Sequence, residues 1–132
     1  MKYGFDIIEK KIIVKPQLKG VDRAREFKFL LDTGASQSII DEQVAIQLGF
    51  DLKKLEQGNR LMTAGGGISS KKLKLPKITF FGKDFSNFNV NVVKFPLQML
   101  FVIEGIIGMD FLLRFKNLKL DFVQKTAETD SD

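Results

Sequence analysis

The chain contains no cysteine and no histidine. Without cysteine there is no disulfide framework, no thiol nucleophile and no zinc ribbon. Without histidine no Ser-His or Cys-His pair can form within the chain, and metal sites shrink to weak oxygen-ligand ones. Hydrolytic chemistry must therefore run on carboxylates, lysines, hydroxyls or the single tyrosine, Tyr3. Uninterrupted apolar runs are also missing. The greasiest region, Phe95 to Leu113, carries Gln98, Glu104 and Asp110 and is broken by Gly105 and Gly108, so no transmembrane helix and no membrane partner are expected. Asp6, Glu9, Lys10 and Lys11 interrupt Phe5 to Ile13, so no secretory signal is expected and a cytoplasmic location is.

An excess of positive charge is present but not concentrated. The net charge is +5, and its lysines are scattered through Lys10-Lys11, Lys53-Lys54 and Lys71-Lys72. Scattered pairs read as a solvated surface, so no nucleic-acid partner is expected. At 132 residues, with 44% hydrophobic and 28% charged residues, the chain is long and apolar enough for one domain with its own core.

The chain is organised around Phe27-Lys28-Phe29-Leu30-Leu31-Asp32-Thr33-Gly34-Ala35-Ser36. Phe27, Phe29 and Leu31 alternate with Lys28, and Leu30 adds a second apolar face, so a strand buried on both sides near its end is expected. An acid then stands where an apolar residue would continue the pattern. Burying an ionised carboxylate is costly unless partners surround it, and the small residues that follow suit a tight turn that backbone can approach. Two readings of Asp32 follow: a catalytic acid delivered into a crowded turn, or a strand that ends in an Asx turn with Asp32 capping its own backbone.

Along the chain, Phe5 to Val14 reads as strand, with Lys10-Lys11 as a turn or an exposed stretch, and Pro16 ends it. Asp41 reads as the N-cap of a helix carrying Val44, Ala45 and Leu48, with Gly49 at its C-terminal end. Arg60 to Thr63, Ala64-Gly65-Gly66-Gly67 and Ile68 read as a glycine-tipped hairpin. A phosphate-cradling loop would need a following helix, whereas Lys72-Leu73-Lys74-Leu75 alternates like a strand. After Pro76, strands are expected over Ile78 to Phe81 and Phe85 to Val93, with Gly82-Lys83-Asp84 turning between them, then over Leu97 to Ile103 and Leu118 to Phe122. Phe111 to Phe115 reads as a short helix. Thr126 to Asp132 is acidic, and a disordered tail over 126–132 is expected after a domain over 1–125. Many short strands without a βαβ rhythm give an all-β class with one or two short helices.

Three stretches then line up: Leu30-Leu31-Asp32-Thr33-Gly34-Ala35-Ser36, the hairpin at Ala64 to Ile68, and Ile106-Ile107-Gly108 followed by a short helix. Together they resemble the retroviral-type (retropepsin-like) aspartic proteases, especially small single-domain members outside retroviruses. The resemblance implies a closed, mostly antiparallel acid-protease barrel, one lobe per chain, working as a homodimer on peptide or protein substrates with no cofactor. It implies an endopeptidase, a hydrolase in which Asp32 faces its symmetry mate and the two share one proton and an activated water. It assigns Thr33, Gly34, Ala35 and Gly108 to the support of the active-site loop. It makes Ala64, Gly65, Gly66, Gly67 and Ile68 the flap over the substrate. Viral members commonly carry an acid where Ser36 stands and a basic residue where Met109 stands. Here both are replaced, which implies a dimer without those ion pairs. The alternative is a catalytically silent dimerisation or peptide-binding module on the same fold.

Overall fold

The computed structural model describes residues 1–63 and 66–129. The chain begins with β1 (Lys2–Gly4), β2 (Asp6–Ile8), β3 (Lys11–Val14), β4 (Gln17–Lys19), β5 (Ala24–Glu26) and β6 (Phe29–Leu31). After the turn at Asp32 come β7 (Ile39–Asp41), helix α1 (Glu42–Gln47), β8 (Glu56–Gln57), β9 (Leu61–Thr63) and β10 (Gly66–Ile68). Two long strands, β11 (Lys71–Phe80) and β12 (Lys83–Val93), precede α2 (Leu97–Leu100), β13 (Gly105–Ile107), α3 (Met109–Leu112), β14 (Leu118–Asp121) and β15 (Thr126–Thr129).

Ten strands form one sheet in the order β2-β3-β6-β13-β7-β12-β11-β4-β5, with β8 also paired to β11. The ladder is a curled open path ending at β2 and β5, so among the described residues ladder hydrogen bonding does not close it into a ring. Pairing is antiparallel except for β13 with β6 and β12 with β7. Those two parallel pairings flank the turn at Asp32, which places its carboxylate at the end of the sheet's central strands. A three-stranded sheet, β1-β15-β14, and the hairpin β9-β10 complete the fold.

The strands follow from the sequence pattern. In β11 the apolar Leu73, Leu75, Ile78 and Phe80 are buried while Lys72 and Lys74 are exposed. The main core gathers Phe29, Leu31, Ile40, Val44, Leu75, Val90 and Ile107. A phenylalanine cluster extends it: Phe111 is fully buried and meets Phe85, Phe88 and Phe80 edge-on at centroid distances of 4.8, 5.0 and 5.6 Å. Burial of such rings contributes roughly 2–3 kcal/mol each, and Phe111 anchors the chain one residue after Asp110.

Asp41 caps α1 as expected, its Oδ2 accepting the Gln43 N–H at 2.9 Å. Its other oxygen accepts the Phe95 N–H at 2.8 Å, and the side chain is only 2% exposed. Gly49 adopts φ +92°, the left-handed C-terminal position that glycine favours. Replacing Asp41 with alanine leaves the Phe95 N–H buried without an acceptor and uncaps α1. The expected loss is about 3 kcal/mol, read as a lower urea midpoint at unchanged slope; a midpoint within error of the parent would show that another group satisfies those donors.

Three expectations are corrected. Leu97 to Ile103 is not a strand: Pro96 opens a turn of helix, its carbonyl accepting the Met99 N–H at 3.0 Å, and Leu97 and Phe101 face solvent. Pro76 does not interrupt β11. The register is the same on both sides of it, Leu75 opposite Phe88 and Lys77 opposite Ser86, and its other edge falls in the gap between β8 and β4, where no donor is required. Thr126–Thr129 is not a disordered tail: it is the central strand between β1 and β14, held by the fully buried Ala127. One small apolar residue suffices there because both edges of the strand are paired. Residues 130–132 lie outside the described residues.

Candidate active site

The parallel register pairs Leu30 with Ile106 and Leu31 with Ile107. It ends where Asp32 donates its N–H to the Ile107 carbonyl at 3.0 Å. Asp32 is half-buried, and its Oδ1 accepts the Gly34 N–H at 2.8 Å, while the Asp32 carbonyl accepts the Ala35 N–H at 3.2 Å. The Asx turn is thus real, and it aims the carboxylate rather than consuming it. Among the described residues no cation forms an ion pair with Asp32. A Cβ on Gly34 would stand 3.2 Å from Asp32 Oδ1. Thr33 is exposed, and its hydroxyl bonds to no described residue of its own chain.

The loop is braced from behind by the segment after β13. Met109 donates its N–H to the Ala35 carbonyl at 2.7 Å, and Asp110 donates to the Ser36 carbonyl at 3.2 Å. Gly108 sits so close that a Cβ there would lie 2.8 Å from both the Ala35 and the Gln37 carbonyl oxygens. Ile107 is buried beside it.

Two supporting residues escaped the sequence reading. The Ser38 hydroxyl donates to Asp110 Oδ1 at 2.7 Å and accepts the Gly108 N–H at 3.0 Å. Asp110 Oδ2 accepts the Ser38 N–H at 3.0 Å, and Oδ1 also accepts the Phe111 N–H at 2.8 Å. Asp110 is therefore an internal clasp between the two halves of the site. The available signal was an acid two residues after Gly108 and a small hydroxyl residue six after Asp32, but nothing local says that they meet.

The hairpin expected as a flap is present as a ladder that pairs Gly66 with Thr63, Gly67 with Met62 and Ile68 with Leu61. Ala64 and Gly65 lie outside the described residues. A groove of about 350 Å³ runs between the loop and the hairpin base. Gly34, Ala35, Ser36 and Gln37 form one wall and Arg60, Leu61 and Met62 the other. Asp32 itself does not line the groove; it precedes by two residues the Gly34 that does. Arg60 lies along Gly67, where a Cβ would meet its Nε at 2.5 Å. Among the described residues no group of three acidic, histidine or cysteine side chains is placed to hold a metal ion, and no helix is long and apolar enough to cross a membrane.

Comparison with known proteins agrees with this geometry. The family described as aspartyl protease matches residues 14–111. The uncharacterized protein RP867 of Rickettsia prowazekii (strain Madrid E) is 32% identical over 96 residues, which cover 73% of this chain and 39% of that protein. The chain thus spans about two fifths of that relative's length. Among solved structures, a retropepsin-like aspartic protease from Rickettsia conorii superimposes with a TM-score of 0.70 at 25% identity, covering 96% of this chain and 86% of the other. The EIAV protease complexed with the inhibitor HBY-793 gives 0.64 at 20% identity, covering 81% and 89%. The retroviral protease-like domain of Ddi1 from Leishmania major gives 0.63 at 19% identity, covering 92% and 90%. At those last two identities the likeness speaks for the fold alone. The family match spans the turn at Asp32, the groove and the Gly108 brace, and with it the chain belongs to the aspartyl protease family, as a retropepsin-like member.

Proposed function

We propose that this chain is an aspartic endopeptidase that acts as a homodimer, with Asp32 as the catalytic carboxyl of each copy. The observation that carries the reading is a half-buried Asp32 carboxylate, held by the Gly34 N–H and paired with no cation among the described residues, in the loop that forms one wall of the groove. One lobe offers one such acid, and the chemistry needs two. The exposed Thr33, whose hydroxyl bonds to none of the described residues, supports a second copy docking at this turn.

Two carboxyls brought this close resist ionising together and hold one proton between them. The ionised one takes a proton from a water whose oxygen attacks the scissile carbonyl carbon; the protonated one donates to the carbonyl oxygen. The tetrahedral intermediate then collapses: the C–N bond breaks, the amine nitrogen receives a proton from a carboxyl, and the proton on the diol oxygen returns to the pair. Backbone groups of β9 and β10 would take the substrate as an added strand. Gly34, Ala35 and Gly108 keep the loop backbone compact enough for that approach. Ala35 offers no hydroxyl to the carboxyl.

Because Ser36 and Met109 cannot form an ion pair, the dimer should be weak and activity should depend on dilution. With an unstructured peptide pool and mass-spectrometric readout, cleavage per mole of chain is expected to fall progressively on dilution and to recover on concentration. Constant specific activity down to concentrations where sedimentation shows only monomers would overturn the shared site. Peptide binding with no cleavage under any condition would instead favour a silent binding module.

A further inference from the structure

We infer that Gln37 is a positioning residue that ties the root of the β9-β10 hairpin to the loop carrying Asp32. For its kinetic consequence the inference rests on the peptidase reading; for its structural consequence it does not. Gln37 lines both the groove along the Asp32 loop and a second, polar cavity of about 400 Å³. Its Oε1 accepts the Asn59 Nδ2–H at 3.0 Å and the Asn91 Nδ2–H at 2.5 Å. Two donors converging on one atom fix which end of the amide is oxygen.

Each partner reaches a different part of the fold. Asn59 opens the hairpin, directly after Gly58, whose N–H donates to the Ser70 carbonyl at 2.9 Å and so closes the hairpin root. Asn91 belongs to β12, is 7% exposed, and donates its own N–H to the Ser38 carbonyl at 3.2 Å. The Ser70 hydroxyl, 3% exposed, lies within hydrogen-bonding reach of both the Asn59 carbonyl and Asn91 Oδ1. The root has no slack: a Cβ on Gly58 would stand 2.7 Å from Ser70 Oγ and 3.1 Å from Asn91 Oδ1.

These bonds set the hairpin's angle over the groove. Above the root, among the described residues, β9 and β10 form a two-stranded sheet of their own. Gln37 makes the direct side-chain tie from the root to the loop, through Asn59, and the Asn91 N–H on the Ser38 carbonyl makes a parallel one from β12. A hairpin that borders the groove keeps its angle only if its root is fixed, and a polar network in a partly dry site is stiff when every member is satisfied. Loss of the Gln37 acceptor strands the buried Asn91 amide and releases the exposed Asn59 amide to solvent.

The test is hydrogen–deuterium exchange together with peptide-cleavage kinetics on Gln37→Leu, Gln37→Glu and Asn59→Ala. In Gln37→Leu, amides of Leu61–Thr63 and Gly66–Ile68 are expected to exchange about fivefold faster, while β6 and β13 stay at parent rates. KM is expected to rise about fivefold with kcat changed less than about twofold, because the hinge and not the carboxyl pair is altered. Gln37→Glu keeps an oxygen at the same place and should restore both readouts to within about twofold of the parent. Asn59 is exposed, so Asn59→Ala folds even if Gln37→Leu does not, and it should raise hairpin exchange in the same selective way. Unchanged hairpin exchange in the folded variants, or an equal rise in β6 and β13, would overturn the inference. A parent protein that cuts no peptide would end the peptidase reading, and the exchange data would still decide whether Gln37 holds the hairpin.

Discussion

Asp32→Asn should lower peptide cleavage by about 10⁴-fold or more, equivalent to roughly 5.5 kcal/mol of barrier. The substitution removes ionisation and leaves shape. The asparagine side chain keeps a carbonyl oxygen where Oδ1 now accepts the Gly34 N–H at 2.8 Å, so the turn should persist and the melting temperature should stay within about 2 °C of the parent. An amide can neither take a proton from water nor return one to the leaving amine. The variant also tests the dimer. Mixed with about nine equivalents of Asp32→Asn and allowed to exchange partners, each parent chain meets an inactive mate nine times in ten. Activity per parent chain should then fall to about a tenth, as random pairing requires. Cleavage by the pure variant would remove Asp32 from the chemistry. Parent activity indifferent to the excess variant would leave a single copy sufficient and end the shared-pair mechanism.

What could be read in the sequence was local. The turn at Asp32 was legible because an acid breaks an apolar alternation, and α1 because Asp41 and Gly49 bracket it. Two of the turns with left-handed residues, Glu9-Lys10 and Phe81-Gly82, were half legible. Lys10-Lys11 and Gly82-Lys83-Asp84 each marked the place but shifted the turn by a residue or more, since no proline or Asn-Gly pair fixes it. What could not be read was non-local. Ser38 and Asp110 lie 72 positions apart, and each looks ordinary where it stands: a polar residue before a strand, an acid in a greasy run. β15 reads as a charged tail because its two partners lie elsewhere, one of them at the opposite end of the chain. Gln37 carries no signal, because an amide in a loop is unremarkable until two donors from distant segments arrive at the same oxygen. Patterns of period and punctuation show where a carboxylate is delivered. The groups that hold it there are set by the sheet order, which brings β7, β12 and β13 side by side.

Gly108→Ala should be a damaging single-methyl addition directly behind the Asp32 loop. The φ of Gly108 is −101°, which any residue adopts, so no conformational penalty arises. The obstacle is space. The added carbon would lie 2.8 Å from two backbone oxygens, those of Ala35 and Gln37, and 2.9 Å from the Gln37 carbonyl carbon. Neither carbonyl can swing away like a side chain: the Ala35 oxygen already accepts the Met109 N–H at 2.7 Å. The loop must move outward by some tenths of an ångström, and Asp32, three residues before Ala35, moves with it. A stability loss of about 2–3 kcal/mol is expected from overpacking against backbone, seen as a fall of about 10 °C in melting temperature. Cleavage at a temperature where the variant is still folded should drop about 10²-fold, because the reacting groups are misplaced. Gly4→Ala is the control: nothing lies within 4 Å of a Cβ there, so its stability should stay within about 0.5 kcal/mol of the parent. If Gly108→Ala melts and cuts like Gly4→Ala, the brace behind Ala35 yields without cost, and the rigidity assigned to the loop must come from the Ser38–Asp110 clasp alone.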